Sequence, residues 1–304
     1  MDYSIGVDIG GTKVAIAVVD DNGKIKEQSV ILTDLGIAPE AMILKINGEI
    51  SKVLKGSGVP MKNVAGIGIG APGPLDSRQG VITCPPNLKT WIDIPIRKLV
   101  EQCFPVPVIL ENDANAAALA EKWIGAAKGN ENFIYLTVST GIGAGIIMDG
   151  KLLKGLKGNA GDIGHAVIDP SFGPCSCGQY GCLESIASGT AIAKRGSEII
   201  GKELSTKEVF GLYKEGHPEI VHYIEEVFRV LGMASVNMIN IFDPEKIVIG
   251  GGVSKVGNPL FDSIRTYAGQ YALNPLGRKT EIVAAKFDQS SGVIGAAALC
   301  FGVV

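Results

Sequence analysis

The sequence has no surplus of positive charge. Its 28 Lys and Arg against 31 Asp and Glu leave a net charge of −3, and the basic residues nowhere gather into a run. That argues against a nucleic-acid partner, whose phosphates are held by clustered basic side chains. Long apolar stretches are missing as well. The longest uncharged apolar segment, around Ile134 to Met148, is rich in Gly and Thr and too short to cross a bilayer. The start, Met1-Asp2-Tyr3-Ser4, carries no basic leader or cleavage site and runs straight into a strand-like segment. Six cysteines in 304 residues are too few for a disulfide scaffold. Cys84, Cys103 and Cys300 are scattered and read as small buried hydrophobes. These absences predict a soluble cytoplasmic protein with no membrane partner.

Apolar residues make up 46% of the chain, enough for two domains with a core each. Tyr3 to Asp8 is a β-branched run, Gly10-Gly11-Thr12-Lys13 bends, Val14 to Val19 is apolar, and Asp20-Asp21-Asn22-Gly23 is a hairpin turn before a third strand. The pattern recurs. Phe133 to Val138 leads into Ser139-Thr140-Gly141-Ile142-Gly143, then Ile146 to Met148, Asp149-Gly150 and Lys151. A unit written twice predicts two α/β halves facing each other across a cleft. Strands are also expected at 64–69, 106–110 and 246–249. Helical spacing or alanine content places helices at about 39–54, 114–127, 184–200, 218–241 and 259–271, and after Gly292. The charges between Lys202 and Glu219 read as a solvated face.

The densest chemistry lies between Gly161 and Glu184. His165, Cys175, Cys177 and Cys182 fall within eighteen residues, a Cys3His set of the kind that holds structural zinc. Asp162 and Glu184 bracket it and read as substrate-facing carboxylates. Asp8 through Lys13 offers backbone N–H groups, a hydroxyl and an ammonium, a phosphate cradle that does not match the P-loop pattern. Ser139-Thr140-Gly141 is the second cradle, and Gly250-Gly251-Gly252 after a strand lets backbone approach a flat base. Gly68-x-Gly70-x-x-Gly73 fits the dinucleotide fingerprint in form only, because Pro72 and Pro74 spoil the helix that should follow. Asp113 stands between a strand and a helix, where it reads both as the N-cap and as a base ready to accept a hydroxyl proton, with Asn112 beside it. His217 and His222 read as surface or cap residues.

These residues together resemble the ROK family of repressors and sugar kinases. The likeness covers essentially the whole chain: Asp8 to Lys13, Gly70-Ala71-Pro72-Gly73-Pro74, Glu111-Asn112-Asp113-Ala114-Asn115, Thr140 to Gly143, and Cys-x-Cys-Gly-x-x-Gly-Cys-x-Glu with its upstream His. The resemblance implies a two-domain actin-like/hexokinase-like (ribonuclease H-like) ATPase fold, with 1–113 plus the C-terminal helix at about 290–304 as the small domain and 114–289 as the large one. It implies an ATP- and Mg2+-dependent sugar kinase assembled as a homodimer or homotetramer. Asp113 is then the general base. Gly73, Asn87, Asn112, Asp162, His165 and Glu184 face the sugar, with His165 also on zinc. Asp8 holds magnesium, Gly10, Gly11, Thr12, Lys13, Thr140 and Gly141 the phosphates, and Gly251 and Gly252 the adenosine.

Two departures from the family pattern bear on the substrate. Sugar kinases of the family have Gly-Glu-x-Gly-His where this chain has Gly161-Asp162-Ile163-Gly164-His165, and Asp is one methylene shorter. The segment from Asn87 to Trp91 is one residue longer than the common glucokinase spacing. Glucose therefore competes with another hexose, an N-acetylhexosamine or a cyclitol as the expected substrate. A repressor is disfavoured because the cradle begins within the first ten residues. A sensor without activity is disfavoured because Asp113 and Lys13 are both present.

Overall fold

The structure, a computed structural model, describes residues 2–287 and 290–303. The chain opens with β1 (Tyr3–Ile9), β2 (Lys13–Asp20), β3 (Ile25–Leu32), α1 (Pro39–Ser57), β4 (Val64–Ala71), the short β5 (Leu75–Asp76) and β6 (Val81–Ile82), α2 (Ile96–Glu101), β7 (Val108–Asn112) and α3 (Asp113–Ile124). It continues through β8 (Phe133–Val138), β9 (Ile142–Met148), β10 (Lys151–Leu152), α4 (Leu183–Ala187), α5 (Gly189–Ile200), α6 (Thr206–Lys214), α7 (Pro218–Phe242), β11 (Lys246–Gly250), α8 (Asn258–Tyr271), β12 (Glu281–Ala284) and α9 (Ser291–Ala298). By contacts it divides into two compact units. The first is Met1–Gly129, Gly145–Ala160 and Lys286–Val304; the second is Asn130–Ala144 and Gly161–Ala285. Helix α3 packs along α9 within the first unit, so this division falls after Gly129 and not before Ala114.

In the first unit the strand order is β3-β2-β1-β4-β7. Strands β1 and β2 form an antiparallel hairpin, while β1, β4 and β7 run parallel. Both faces of the sheet are covered, which is why its central strands are apolar almost throughout. Along β2, Val14, Ile16 and Val18 join one core with Met42, Ile43, Ile46 and Ile50 of α1. Ala17 and Val19 join another with Ala120 of α3 and Val293, Ile294 and Ala297 of α9. A fully buried carboxylate ties the segment before the chain's first exit from this unit to the segment of its last re-entry. Glu121 accepts the backbone N–H groups of Ala126 at 2.6 Å, Lys286 at 3.0 Å and Phe287 at 3.1 Å. Such donors replace the water that a buried charge has lost.

The second sheet has the order β10-β9-β8-β11-β12, and the division between units falls inside β9. Ile134 of β8 stands beside Ile247 of β11, which stands beside Ile282 of β12, all parallel. Three consecutive strands followed by two later ones is the order of both sheets, as the repeated sequence unit predicts. Helix α7 buries Tyr223, Phe228 and Met238. Among the described residues no helix is long and apolar enough to cross a membrane.

Several expectations need correction. The helix expected over 184–200 is two helices. Ser188 takes an extended conformation and caps α5 by accepting the Ala191 N–H, while the Gly189 N–H is drawn to Ser139 O at 2.6 Å. The charged stretch 202–219 contains α6, which buries Val209 and Phe210. Its signal is Ser205-x-x-Glu208, a capping box in which each side chain accepts the other residue's N–H. Helix α2 and strand β12 also went unread. Of the scattered cysteines, Cys84 and Cys103 are exposed; only Cys300 is partly buried, and burial pushes its thiol up to about 12. The reading of Gly68-x-Gly70-x-x-Gly73 needs no correction: as Pro72 and Pro74 require, the chain runs from Gly73 into β5 and not into a helix.

Candidate active site

The parallel strands of the first unit end level with one another. Asp8 is the register partner of Gly70, Gly70 of Glu111, and Ala71 of Asn112. Ligands of open α/β sheets gather at such carboxyl ends. A Cβ built on Gly70 would lie 3.8 Å from Asp113 Cα and 3.9 Å from Asp8 Oδ1, so two carboxylate residues flank this one glycine. The cap of α3 is Asn112, not Asp113 as expected. Asn112 Oδ1 accepts the N–H groups of Ala114 at 2.9 Å and Asn115 at 3.3 Å. Asp113 is the first helical residue, and its Oδ1 accepts the Ala114 N–H at 2.7 Å.

Around this centre the structure places Gly73, whose Cβ would lie 3.4 Å from Asn112 Nδ2 and 3.5 Å from Asn159 Oδ1. Asn159 was not anticipated; it accepts from Leu75 N at 3.1 Å and donates to Leu75 O at 2.9 Å, holding the bend after Gly73. The bend of Gly10, Gly11, Thr12 and Lys13 closes with Gly10 N donating to Lys13 O at 2.9 Å. Asn87 lies against it, its carbonyl 2.9 Å from where a Gly11 Cβ would stand. The Asp8 carboxylate rests on Gly292 in the first turn of α9. A side chain there would place its Cβ 2.3 Å from Asp8 Oδ2. Burial raises the Asp8 carboxyl to about 6, against a weaker opposing pull from Lys13.

In the second unit, the ends of parallel β8 and β11 meet a cavity of about 850 Å³. Its lining includes Ser139, Thr140, Thr190, Phe210, Gly252 and Val253. Thr190 Oγ1 donates to Thr140 O at 2.8 Å, fixing the 139–141 loop to the start of α5. Gly251 has φ +88°, and a Cβ on it would lie 2.3 Å from Val138 O, so only glycine suits this crossing. Gly141 lies beside Glu184, whose Oε2 accepts the Ile142 N–H at 2.8 Å. One oxygen of the expected sugar contact is thus committed to the backbone of the 139–142 loop. Asp162 is exposed at the head of the loop. Its carboxyl is nonetheless raised, chiefly by the protein packed around one side of it, with His165 opposing and Glu184 adding a smaller push upward.

His165, Cys175, Cys177 and Cys182 bring their ligand atoms within 4.8 Å of one another. Cys175 Sγ is 3.6 Å from His165 Nδ1, and Cys177 Sγ is 3.6 Å from Cys182 Sγ. Tetrahedral Zn–S and Zn–N bonds of about 2.3 Å and 2.0 Å separate ligand atoms by roughly 3.5–3.8 Å. A disulfide would need about 2.05 Å. A backbone N–H from Gln179 is the main influence lowering Cys177 to about 7, while burial pushes Cys182 to about 12. With Nδ1 turned to the cluster, Nε2 is the ring nitrogen left for other partners.

The ROK family's sequence model matches residues 4–302. The chain belongs to the ROK family. It is 36% identical to a glucokinase of Halalkalibacterium halodurans, over 96% of this chain and 93% of that one. Among solved structures it resembles the ROK hexokinase of Thermus thermophilus, with a TM-score of 0.86 and 34% identity over 98% of both chains. It also resembles a ROK glucokinase of Streptomyces griseus in complex with glucose and AMPPNP, with a TM-score of 0.82 and 33% identity over 98% of both chains. The fold is accordingly the two-domain actin-like/hexokinase-like fold.

The raised Asp8 carboxyl has a consequence for stability. The folded state holds this proton more tightly than the unfolded chain, whose carboxyl titrates at about 3.8. Its contribution therefore turns unfavourable as pH climbs from about 4 through about 6. In metal-free protein, Asp8→Asn raises stability by about 2 kcal/mol at pH 7.5 and hardly at all at pH 4, measured by urea unfolding. A gain that is equal at both pH values contradicts the assignment.

Proposed function

We propose that this protein is an ATP- and Mg2+-dependent kinase that transfers the γ-phosphoryl group to a hydroxyl of a hexose, with glucose the first candidate. The observation that carries the reading is the pair Asp8 and Asp113 flanking Gly70 at the ends of β1, β4 and β7, in a chain whose relatives include glucokinases. The hydroxyl oxygen attacks the γ-phosphorus, its proton passes to Asp113, the bond to the β–γ bridging oxygen breaks, and ADP leaves. Such transfer asks for positioning and charge stabilisation more than for covalent chemistry.

In this reading Asn112, beside the base, and Gly73, Asn87, Asp162, His165 and Glu184 contact sugar hydroxyls. Gly10, Gly11, Thr12, Lys13, Thr140 and Gly141 hold phosphates, and Gly251 and Gly252 the adenosine. Lining of one cavity by Thr140 and Gly252 supports the last assignment. Asp8, an oxygen donor whose burial asks for a countercharge, suits magnesium, which would offset charge on the phosphates. We assign zinc to His165, Cys175, Cys177 and Cys182. Four protein ligands close the coordination shell, so its role is structural. It would hold His165 and, through the Cys182 cap of α4, Glu184. A second reading, a different ring as substrate, draws on Asp162, whose shorter side chain stands where family sugar kinases carry Glu.

Asp113→Asn lowers kcat at least about a hundredfold, the usual range for losing a general base, and leaves sugar binding measurable by calorimetry. Near-normal turnover would remove Asp113 from the role. Cys177→Ser, or chelation, takes bound zinc from one per chain to near zero by elemental analysis and weakens sugar affinity by about tenfold or more. Unchanged affinity in folded, zinc-free protein refutes the supporting role.

A further inference from the structure

Glu111 is fully buried, two residues ahead of Asp113. Its Oε1 accepts the Asn112 N–H and the Asn115 Nδ2–H, each at 3.0 Å. Those donors stand on either side of Asp113, one on the cap of α3 and the other in its first turn. Oε2 is buried and, among the described residues, accepts no hydrogen bond. Facing it is the ammonium of Lys154, 3.4 Å away and part-exposed. Lys154 belongs to the same 153–160 segment whose Asn159 clamps Leu75 and whose Lys157 lies 3.7 Å from Asp76. A buried carboxylate with one oxygen on neutral donors and the other on none depends on such a cation, and removing one partner of a buried pair leaves the other uncompensated.

We propose that Lys154 is a positioning residue for Asp113: by facing Oε2 it holds Glu111 in the orientation that fixes the cap and first turn of α3. The inference rests on Asp113 being the base. Without Lys154, the Glu111 carboxylate turns toward water or other donors and carries the Asn112 N–H and Asn115 with it. A base displaced by even a fraction of an ångström slows transfer while substrate binding is largely kept. Neutralising Glu111 at the same time removes the reason for the displacement.

The test compares Lys154→Met, Lys154→Arg, Glu111→Gln and the double variant Lys154→Met/Glu111→Gln in the full-length, zinc-loaded protein. Steady-state kinetics, sugar affinity and thermal stability are read for each. Lys154→Met is expected to lower kcat by about tenfold or more, with KM for sugar and for ATP within about threefold. Lys154→Arg, which keeps the charge, loses much less. Adding Glu111→Gln to Lys154→Met restores kcat to at least about a third of the wild-type value, the non-additivity expected of coupled partners. A double variant no better than Lys154→Met, or a loss that appears in KM, overturns the proposal, because a lysine that touches substrate directly could not be rescued by Glu111→Gln. Where Lys154→Met does not fold, Glu111→Gln is compared with the double variant. Rates within about twofold support the proposal, and a further loss beyond that overturns it. Asp113→Asn keeps the two failures apart: an active Asp113→Asn removes the base assignment, whereas rescue reads the Lys154–Glu111 coupling.

Discussion

The site in the first unit depends on register. Because β1, β4 and β7 run parallel and end level, Asp8, Gly70 and the Glu111-Asn112-Asp113 string arrive together with no long loop to place them. A one-residue slip in any of these strands would turn its side chains to the opposite face and scatter the group. The apolar residues that forbid such a slip are the ones packed under α1 on one face and under α3 and α9 on the other. Core packing and site geometry are here the same constraint.

Burial then sets the electrostatics. Two fully buried carboxylates of this unit, Glu121 and Glu111, and the half-buried Asp8 are each answered differently. Glu121 has backbone donors and joins the end of α3 to the segment at Lys286. Glu111 has two neutral donors and a lysine. Asp8, packed under Gly292, is left with a carboxyl that burial raises against the pull of Lys13. In the second unit the equivalent work falls to a hairpin of three cysteines and a histidine, stitched through α4 and Glu184 to the loop that lines the cavity.

Much of this was legible in the sequence because it is local. β-Branched runs between Gly-rich bends mark the strands, the repeated unit announces two sheets of one order, and His165, Cys175, Cys177 and Cys182 sit close enough along the chain to be seen as a set. What escaped is tertiary. Ser188 breaks a helix because the Gly189 N–H reaches Ser139, far back in the chain. The Lys154–Glu111 pair, the Asn159 clamp on Leu75 and the seat of Asp8 on Gly292 join segments with no shared pattern. The cap of α3 was misplaced by one residue, since Asn112 and Asp113 are equally good caps by type. Helix α6 is marked by its capping box, but the charges around it imitate a solvated face.

The most direct measurement is ADP release with ATP and Mg2+ across glucose, mannose, fructose, allose, N-acetylmannosamine, N-acetylglucosamine and inositols with their keto forms. Release that depends on a sugar, with glucose highest in kcat/KM, is the predicted result. A different ring at the top would mark Asp162 as the residue that respecifies the pocket. No ring-dependent release from folded, zinc-loaded protein would contradict the kinase assignment itself.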